Sequence, residues 1–227
     1  EIDCYIDDML KCVKTGKLTR IQMVRDTQSL FLAGVDSTTA SLEQGFFYLA
    51  KYPQVQQRLY EELAAYHQKY GVFSLEHIHE LHVLRAVVYE TLRNIIHVAS
   101  SFPKYVATDD VVIGGYNVKK GWSVLGNHYY INHSPKYWEK PLEFYIEHFL
   151  DENGKFKMNK NLMTFGSGKR DCMGSTLALK NMNLLIGHLV LRYKFMPSDE
   201  QLFAKAKHIG FDGFQVRGFP FRVQIRN

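Results

Sequence analysis

Ten consecutive residues, Phe165-Gly166-Ser167-Gly168-Lys169-Arg170-Asp171-Cys172-Met173-Gly174, concentrate the reactive chemistry of this chain of 227 residues. A glycine-laden loop delivers Cys172 to the first turn of a helix expected over 172–191. There the unpaired N–H groups and the helix dipole stabilise an anion, and Lys169 and Arg170 add positive charge beside the sulfur. Gly168 and Gly174 remove side chains where a flat cofactor, or another backbone, must come close. The competing reading of an isolated cysteine here is a small buried hydrophobe in a tight strand-to-helix turn.

Two further groups of residues have informative spacing. Glu90 and Arg93 lie three apart, on one face of a helix expected over 82–96. On a solvated face such a pair contributes only a few tenths of a kcal/mol. Upstream, Ala33-Gly34-Val35-Asp36-Ser37-Thr38-Thr39 sits in the middle of a long apolar-periodic stretch. Gly, Asp, Ser and Thr all lower helix stability in an interior, and the hydroxyls can bond back to the i−4 carbonyl. A cost of that kind has a local reason.

The elements that must position these residues are mostly helical in the first hundred positions. Ile21, Val24, Leu30, Phe31, Leu32, Val35, Leu42, Phe46, Phe47 and Leu49 recur at spacings of three and four, which predicts a helix over 18–52 with Thr19 as N-cap, interrupted or distorted at Gly34. Pro53 suits the first turn of a second helix that reaches Tyr70 and stops at Gly71. From 100 to 122 the pattern changes to β-branched clusters broken by Asp109-Asp110, Gly114-Gly115 and Gly121, a small set of strands and turns. A long irregular stretch then runs to Gly168, and a strand-like tail ends in Phe219, Phe221, Val223 and Ile225. No internal repeat and no linker between two domains is visible.

Composition narrows the class. With 46% hydrophobic and 14% aromatic residues the chain can bury a sizeable core. No run of eighteen apolar residues occurs, and residues 1–8 carry neither a basic n-region nor an apolar h-region, so a membrane anchor or targeting segment is expected to lie outside this chain. The formal charge of +5 is spread without a polybasic block, which suits an acidic protein partner better than nucleic acid. Of three cysteines, Cys4 and Cys12 are eight apart, about 12 Å on one helix, too far for a disulfide, and are read as structural. His77, His79 and His82 form no ligand constellation, and Tyr129 and Tyr130 read as aromatic packing.

The ten-residue segment resembles the haem loop of the cytochrome P450 family, F-x-x-G-x-R-x-C-x-G, with Phe165, Gly168, Arg170, Cys172 and Gly174 at its fixed places. Glu90-Thr91-Leu92-Arg93 is similar to the family's E-x-x-R pair, and the Ala33 to Thr39 segment to its oxygen-activation motif A-G-x-D/E-T-T/S. Phe102-Pro103-Lys104, Gly115 to Gly121, Asn127 and Ser134 to Phe144 extend the resemblance over nearly the whole chain. It implies a mainly α fold with a small β region, the carboxy-terminal part of the P450 fold, with residues 1–227 one portion of a single domain whose amino-terminal half is not in this chain.

It further implies haem b (iron protoporphyrin IX) with Cys172 as axial thiolate, which donates electron density and favours O–O cleavage. Phe165 packs beside the sulfur, Arg170 and Lys104 reach propionates, and Asp36, Ser37 and Thr38 relay protons on the distal side. Glu90 and Arg93 form a buried structural pair holding the meander before the cysteine loop. Three departures stand out: Lys104 where an Arg is frequent, Ser37 for the usual Thr, and Ile146-Glu147-His148-Phe149 for P-E-R-F. Lys lacks the bidentate fork, Ser lacks the rotamer-restricting methyl, and His148 brings a pH dependence to the support of the pair.

The implied activity is monooxygenation of a lipophilic small molecule, with electrons from a reductase or ferredoxin docking on the cysteine side near Lys155, Lys157, Lys160, Lys169 and Arg170. Substrate contacts are expected from Phe31, Val35 and Thr38, from 98–101 and from 211–214. The amino-terminal half or neighbouring subunits are expected to cover exposed helix faces, and the location is membrane-associated, endoplasmic reticulum before mitochondrion. The alternative is a P450-derived structural or haem-binding subunit of a larger complex with little oxygenase activity.

Overall fold

The computed structural model describes residues 4–95, 104–200 and 220–226. It divides into two compact units, Glu1–Thr39 and Ala40–Asn227.

In the first unit, α1 (Tyr5–Lys14) carries Asp7 and Asp8 in its first turn and Lys11 and Lys14 in its last, matching the helix dipole. Cys4 precedes it, with its N–H donated to Asp7 Oδ2 at 3.1 Å. Neither Cys4 nor Cys12 is buried or in a disulfide. Gly16, at φ 71°, turns the chain toward α2 (Arg20–Lys51). Thr19 caps α2 as expected, through a reciprocal box: Gln22 N–H donates to Thr19 Oγ1 at 3.2 Å, and Thr19 N–H to Gln22 Oε1 at 2.8 Å. The expected interruption at Gly34 does not occur, and α2 is helical over all 32 of its residues. One glycine costs about 1 kcal/mol relative to alanine, too little to break a helix of that length.

In the second unit, the end of α2 buries Phe47, Tyr48, Leu49 and Ala50. α3 (Pro53–Tyr70) begins on Pro53 and ends at Gly71, φ 76°, as the sequence predicts. α4 (His82–Asn94) ends earlier than expected: Ile95 is extended at ψ 129°, and Ile96 lies outside the described residues. Its start is capped from another helix, since Glu62 of α3 accepts Val83 N–H at 2.8 Å and Leu84 N–H at 2.9 Å. Leu59, Leu63, Leu84, Val87, Val88, Phe149, Met182, Ile186 and Val190 form the centre of the core.

β1 (Lys104–Val106) pairs antiparallel with β4 (Ser123–Leu125), so strand structure runs past residue 122. β2 (Val111–Ile113) and β3 (Tyr116–Val118) make a hairpin turned by Gly114 and Gly115 at φ 57° and 87°. Successive positive φ values suit that two-residue turn and explain the glycine pair. α5 (His128–Asn132) follows, unforeseen, with Asn127 Oδ1 accepting Tyr130 N–H at 2.9 Å. Tyr129 stacks on His133 at 4.2 Å, whereas Tyr130 is exposed rather than packed.

Helix α6 (Ser175–Arg192) starts three residues after Cys172 rather than on it. Gly174 is its N-cap and Met173-Gly174 form the turn before it, so Cys172 sits just ahead of the helix. β5 (Tyr193–Pro197), also unforeseen, pairs with β6 (Phe221–Ile225), and Phe219 lies outside the described residues.

Candidate functional site

Glu90 and Arg93 are both fully buried, so the surface reading of this i,i+3 pair does not hold. Arg93 donates from Nε to Glu90 Oε2 at 2.9 Å and from Nη2 to Glu90 Oε1 at 2.7 Å. Its other bonds, each 2.7 Å, run from Nη1 to the carbonyls of Asn132 and Pro141 and from Nη2 to that of Glu143. All five guanidinium donors are thereby used, which is what a buried cation requires. The guanidinium also stands 5.2 Å from the ring of buried Trp138, whose Nε1–H donates to Ile131 O at 2.9 Å.

Glu90 is satisfied equally fully. Oε1 accepts Tyr145 N–H at 2.9 Å and Asn94 Nδ2 at 3.1 Å, and Oε2 lies 3.1 Å from His148 Nδ1. His148 Nε2 accepts Lys140 N–H at 3.4 Å, so the ring spans the carboxylate and the backbone with its proton suited to Nδ1. These partners tie α4 to the irregular stretch 132–148, which the hydrogen bonds of one pair convert into a fixed frame.

The cysteine loop is built mainly from its own backbone. Cys172 N–H donates to Phe165 O at 2.8 Å, Gly166 N–H to Met163 O at 2.9 Å, and Ser175 N–H to Cys172 O at 3.3 Å. Gly166 and Gly168, both at φ 75°, allow the reversals that bring residue 172 back to residue 165. Phe165 is half-buried against the core, whereas Gly168, Arg170 and Cys172 are exposed. Cys172 is a free thiol, and a Cβ added at Gly174 would lie 3.9 Å from its Sγ, so the glycine keeps that flank of the sulfur clear. Met173 and Leu177 beside it are exposed apolar side chains. Lys104 opens β1, and its side chain, like residues 98–101 and 211–214, lies outside what is described.

Asp36, Ser37 and Thr38 lie on α2 in the first unit. Asp36 is exposed, Ser37 and Thr38 are half-buried, and Ser37 Oγ donates back to Ala33 O at 2.6 Å. Phe31 and Val35 on the same helix are exposed. Lys155, Lys157, Lys160 and Lys169 are exposed as well.

Sequence reasoning missed the residues that complete the Arg93 cage. Asn132, Pro141 and Glu143 act there through main-chain carbonyls, which every residue type possesses, so no spacing rule points to them. Among the described residues no group of three or more His, Cys, Asp or Glu side chains is placed to hold a metal ion.

A family model described as Cytochrome P450 matches residues 1–211. Cytochrome P450 2L1 of Panulirus argus is 32% identical over 204 residues, covering 88% of this chain and 41% of that protein. Trans-cinnamate 4-monooxygenase of Catharanthus roseus is 29% identical, over 86% of this chain and 39% of its own length. For cytochrome P450 2U1 of Homo sapiens the figures are 31%, 86% and 36%. The chain thus spans about two fifths of the length of these curated relatives. With the family model covering most of its residues, the chain belongs to the cytochrome P450 family.

Proposed function

We propose that this chain is the haem-binding, carboxy-terminal part of a haem-thiolate monooxygenase, which inserts one oxygen atom from O2 into a lipophilic organic substrate. The observation that carries the reading is Cys172: a free, exposed thiol held by the Phe165 carbonyl just ahead of α6, with Gly174 leaving its flank open. The residues present fit haem b. Exposed apolar Met173 and Leu177 suit the face of a porphyrin, exposed Arg170 suits a propionate, and Gly168 has open space where a Cβ would stand.

Cys172 would be the protein ligand of the haem iron, Phe165 its neighbour in the loop, and Arg170 and Lys104 the cations available to the propionates. When bound, the haem supplies the iron at which dioxygen is activated, and thiolate ligation favours O–O cleavage. Gly168 and Gly174 admit the cofactor by lacking side chains, while Glu90 and Arg93 hold the frame from which the loop projects. Asp36, exposed on α2, would be the acid of the distal proton relay. Ser37 donates its own proton to Ala33 O, and Thr38 offers a second hydroxyl one position on.

Electrons come from a reductase or ferredoxin bearing an acidic face, steered by exposed Lys155, Lys157, Lys160, Lys169 and Arg170. No helix among the described residues is long and apolar enough to cross a membrane. Association with the endoplasmic reticulum membrane is part of this proposal.

The test is the absorbance spectrum of the full-length protein, reduced and exposed to carbon monoxide, beside that of Cys172→Ser. The long-wavelength Soret band of a thiolate-ligated haem, lost in the variant, supports the reading. A protein that takes up no haem points instead to a structural subunit.

A further inference from the structure

Thr164 is half-buried where the cysteine loop leaves the core, and its hydroxyl donates to the carbonyl of Leu92 at 2.5 Å. Leu92 is in the last turn of α4, where carbonyls lack helical partners, and among the described residues Ile95 N–H also donates to it, at a long 3.4 Å. The same hydroxyl accepts Asn132 Nδ2 at 3.2 Å, and Asn132 Oδ1 accepts Met163 N–H at 2.9 Å. Asn132 is itself buried, its carbonyl held by Arg93 Nη1 at 2.7 Å. The next residue, Phe165, supplies the carbonyl that receives Cys172 N–H.

We propose that Thr164 and Asn132 are positioning residues for Cys172, a two-side-chain pin that fixes the base of the cysteine loop to the end of α4 and so fixes the sulfur. The inference rests on the reading of Cys172 as the haem ligand. Residues 167–173 are exposed and packed against little, so the geometry at Cys172 is inherited from the loop base. Backbone turns set the shape of that base, and the Thr164 hydroxyl sets its place against the buried frame. Removal of the hydroxyl takes the 2.5 Å bond from Leu92 O and the acceptor from Asn132 Nδ2, both in buried surroundings.

The experiment uses the full-length, haem-loaded protein with Thr164→Val, Thr164→Ser and Asn132→Leu. Two quantities are measured: amide hydrogen exchange at Met163 and Cys172, and the rate at which the carbon-monoxide spectrum of the reduced protein shifts from the thiolate band to the shorter-wavelength band of a lost thiolate. Thr164→Val should raise both the Cys172 exchange rate and the conversion rate about tenfold, the equivalent of one lost buried hydrogen bond, while Thr164→Ser, which keeps the donor, remains near wild type.

Wild-type exchange and conversion in Thr164→Val overturn the proposal, as does a Thr164→Ser protein that behaves like the valine variant. Where Thr164→Val does not fold, Asn132→Leu decides: faster exchange at both amides supports the pin, and an unchanged Cys172 amide overturns it. A thiolate band that survives in Cys172→Ser defeats the ligand reading alone, since the exchange measurements still report whether Thr164 holds the loop.

Discussion

Arg93 commits all five of its N–H donors to partners inside the protein, while Cys172, in the same compact unit, is exposed and tied back through its backbone. The two regions divide the work of the site. A buried ion pair contributes little net stability and becomes costly only when one partner is removed, because the other is then left charged and dry. The Glu90–Arg93 pair therefore fixes an arrangement: it selects one path for 132–148, from which the loop base is held. The cysteine loop can present a nearly bare sulfur because that frame behind it is rigid.

The largest expected effect breaks the frame. Arg93→Met should cost about 3–5 kcal/mol in denaturant unfolding of the full-length protein, since Glu90 and three carbonyls lose their donors together. A loss below about 1 kcal/mol would mean that the frame does not depend on the pair. Arg93→Lys should be nearly as damaging, because an ammonium cannot reproduce the five-donor fork.

Next is an alkaline effect beside the frame. Tyr48 stacks on Phe144 at 4.4 Å, and burial pushes its hydroxyl from 10.0 up to about 12. A raised folded value means that the unfolded chain loses its proton first as pH rises. The stabilisation is thus complete below about pH 10 and lost as pH climbs toward about 12, amounting to roughly 2–3 kcal/mol. Unfolding of wild type and Tyr48→Phe across that window should show the variant losing less stability, and equal losses would remove Tyr48 as the cause.

A smaller change is expected at the frame's edge. His148→Phe keeps a ring against Trp138 but removes the Nδ1 partner of Glu90 Oε2, and should cost roughly 1–2 kcal/mol by thermal or denaturant unfolding. The smallest effect on stability belongs to the residue with the largest proposed role in chemistry. Cys172→Ser, at an exposed loop position, should alter the stability of the haem-free protein by no more than about 0.5 kcal/mol. A large loss in that measurement would show the sulfur to be part of the core after all.

Much of this division was legible from local spacing. The span of α3 follows from Pro53 and Gly71, the β2–β3 hairpin from Gly114-Gly115, and the family resemblance from residues 165–174, since each is encoded within a few consecutive positions. The start of α6 was misplaced by three residues because a loop-to-helix cysteine and a true first-turn cysteine share the same flanking glycines. The long helix read over 18–52 is present as α2, without the interruption offered at Gly34, because one glycine is too weak a defect to break 32 helical residues.

Composition and spacing by themselves determined the spans of α2 and α3, the change to strands after residue 100 and that Glu90 and Arg93 share a helix face, because those depend on side-chain type and on contacts three or four residues apart. Tertiary structure alone decided which carbonyls complete the Arg93 cage, that Thr164 meets Leu92, and that Gly187 in the middle of α6 must lack a side chain because a Cβ there would overlap the Phe73 ring. The physical reason is common to all three. Backbone carbonyls, a lone hydroxyl and an empty Cβ position carry no pattern along the chain and acquire meaning only from what packing brings against them.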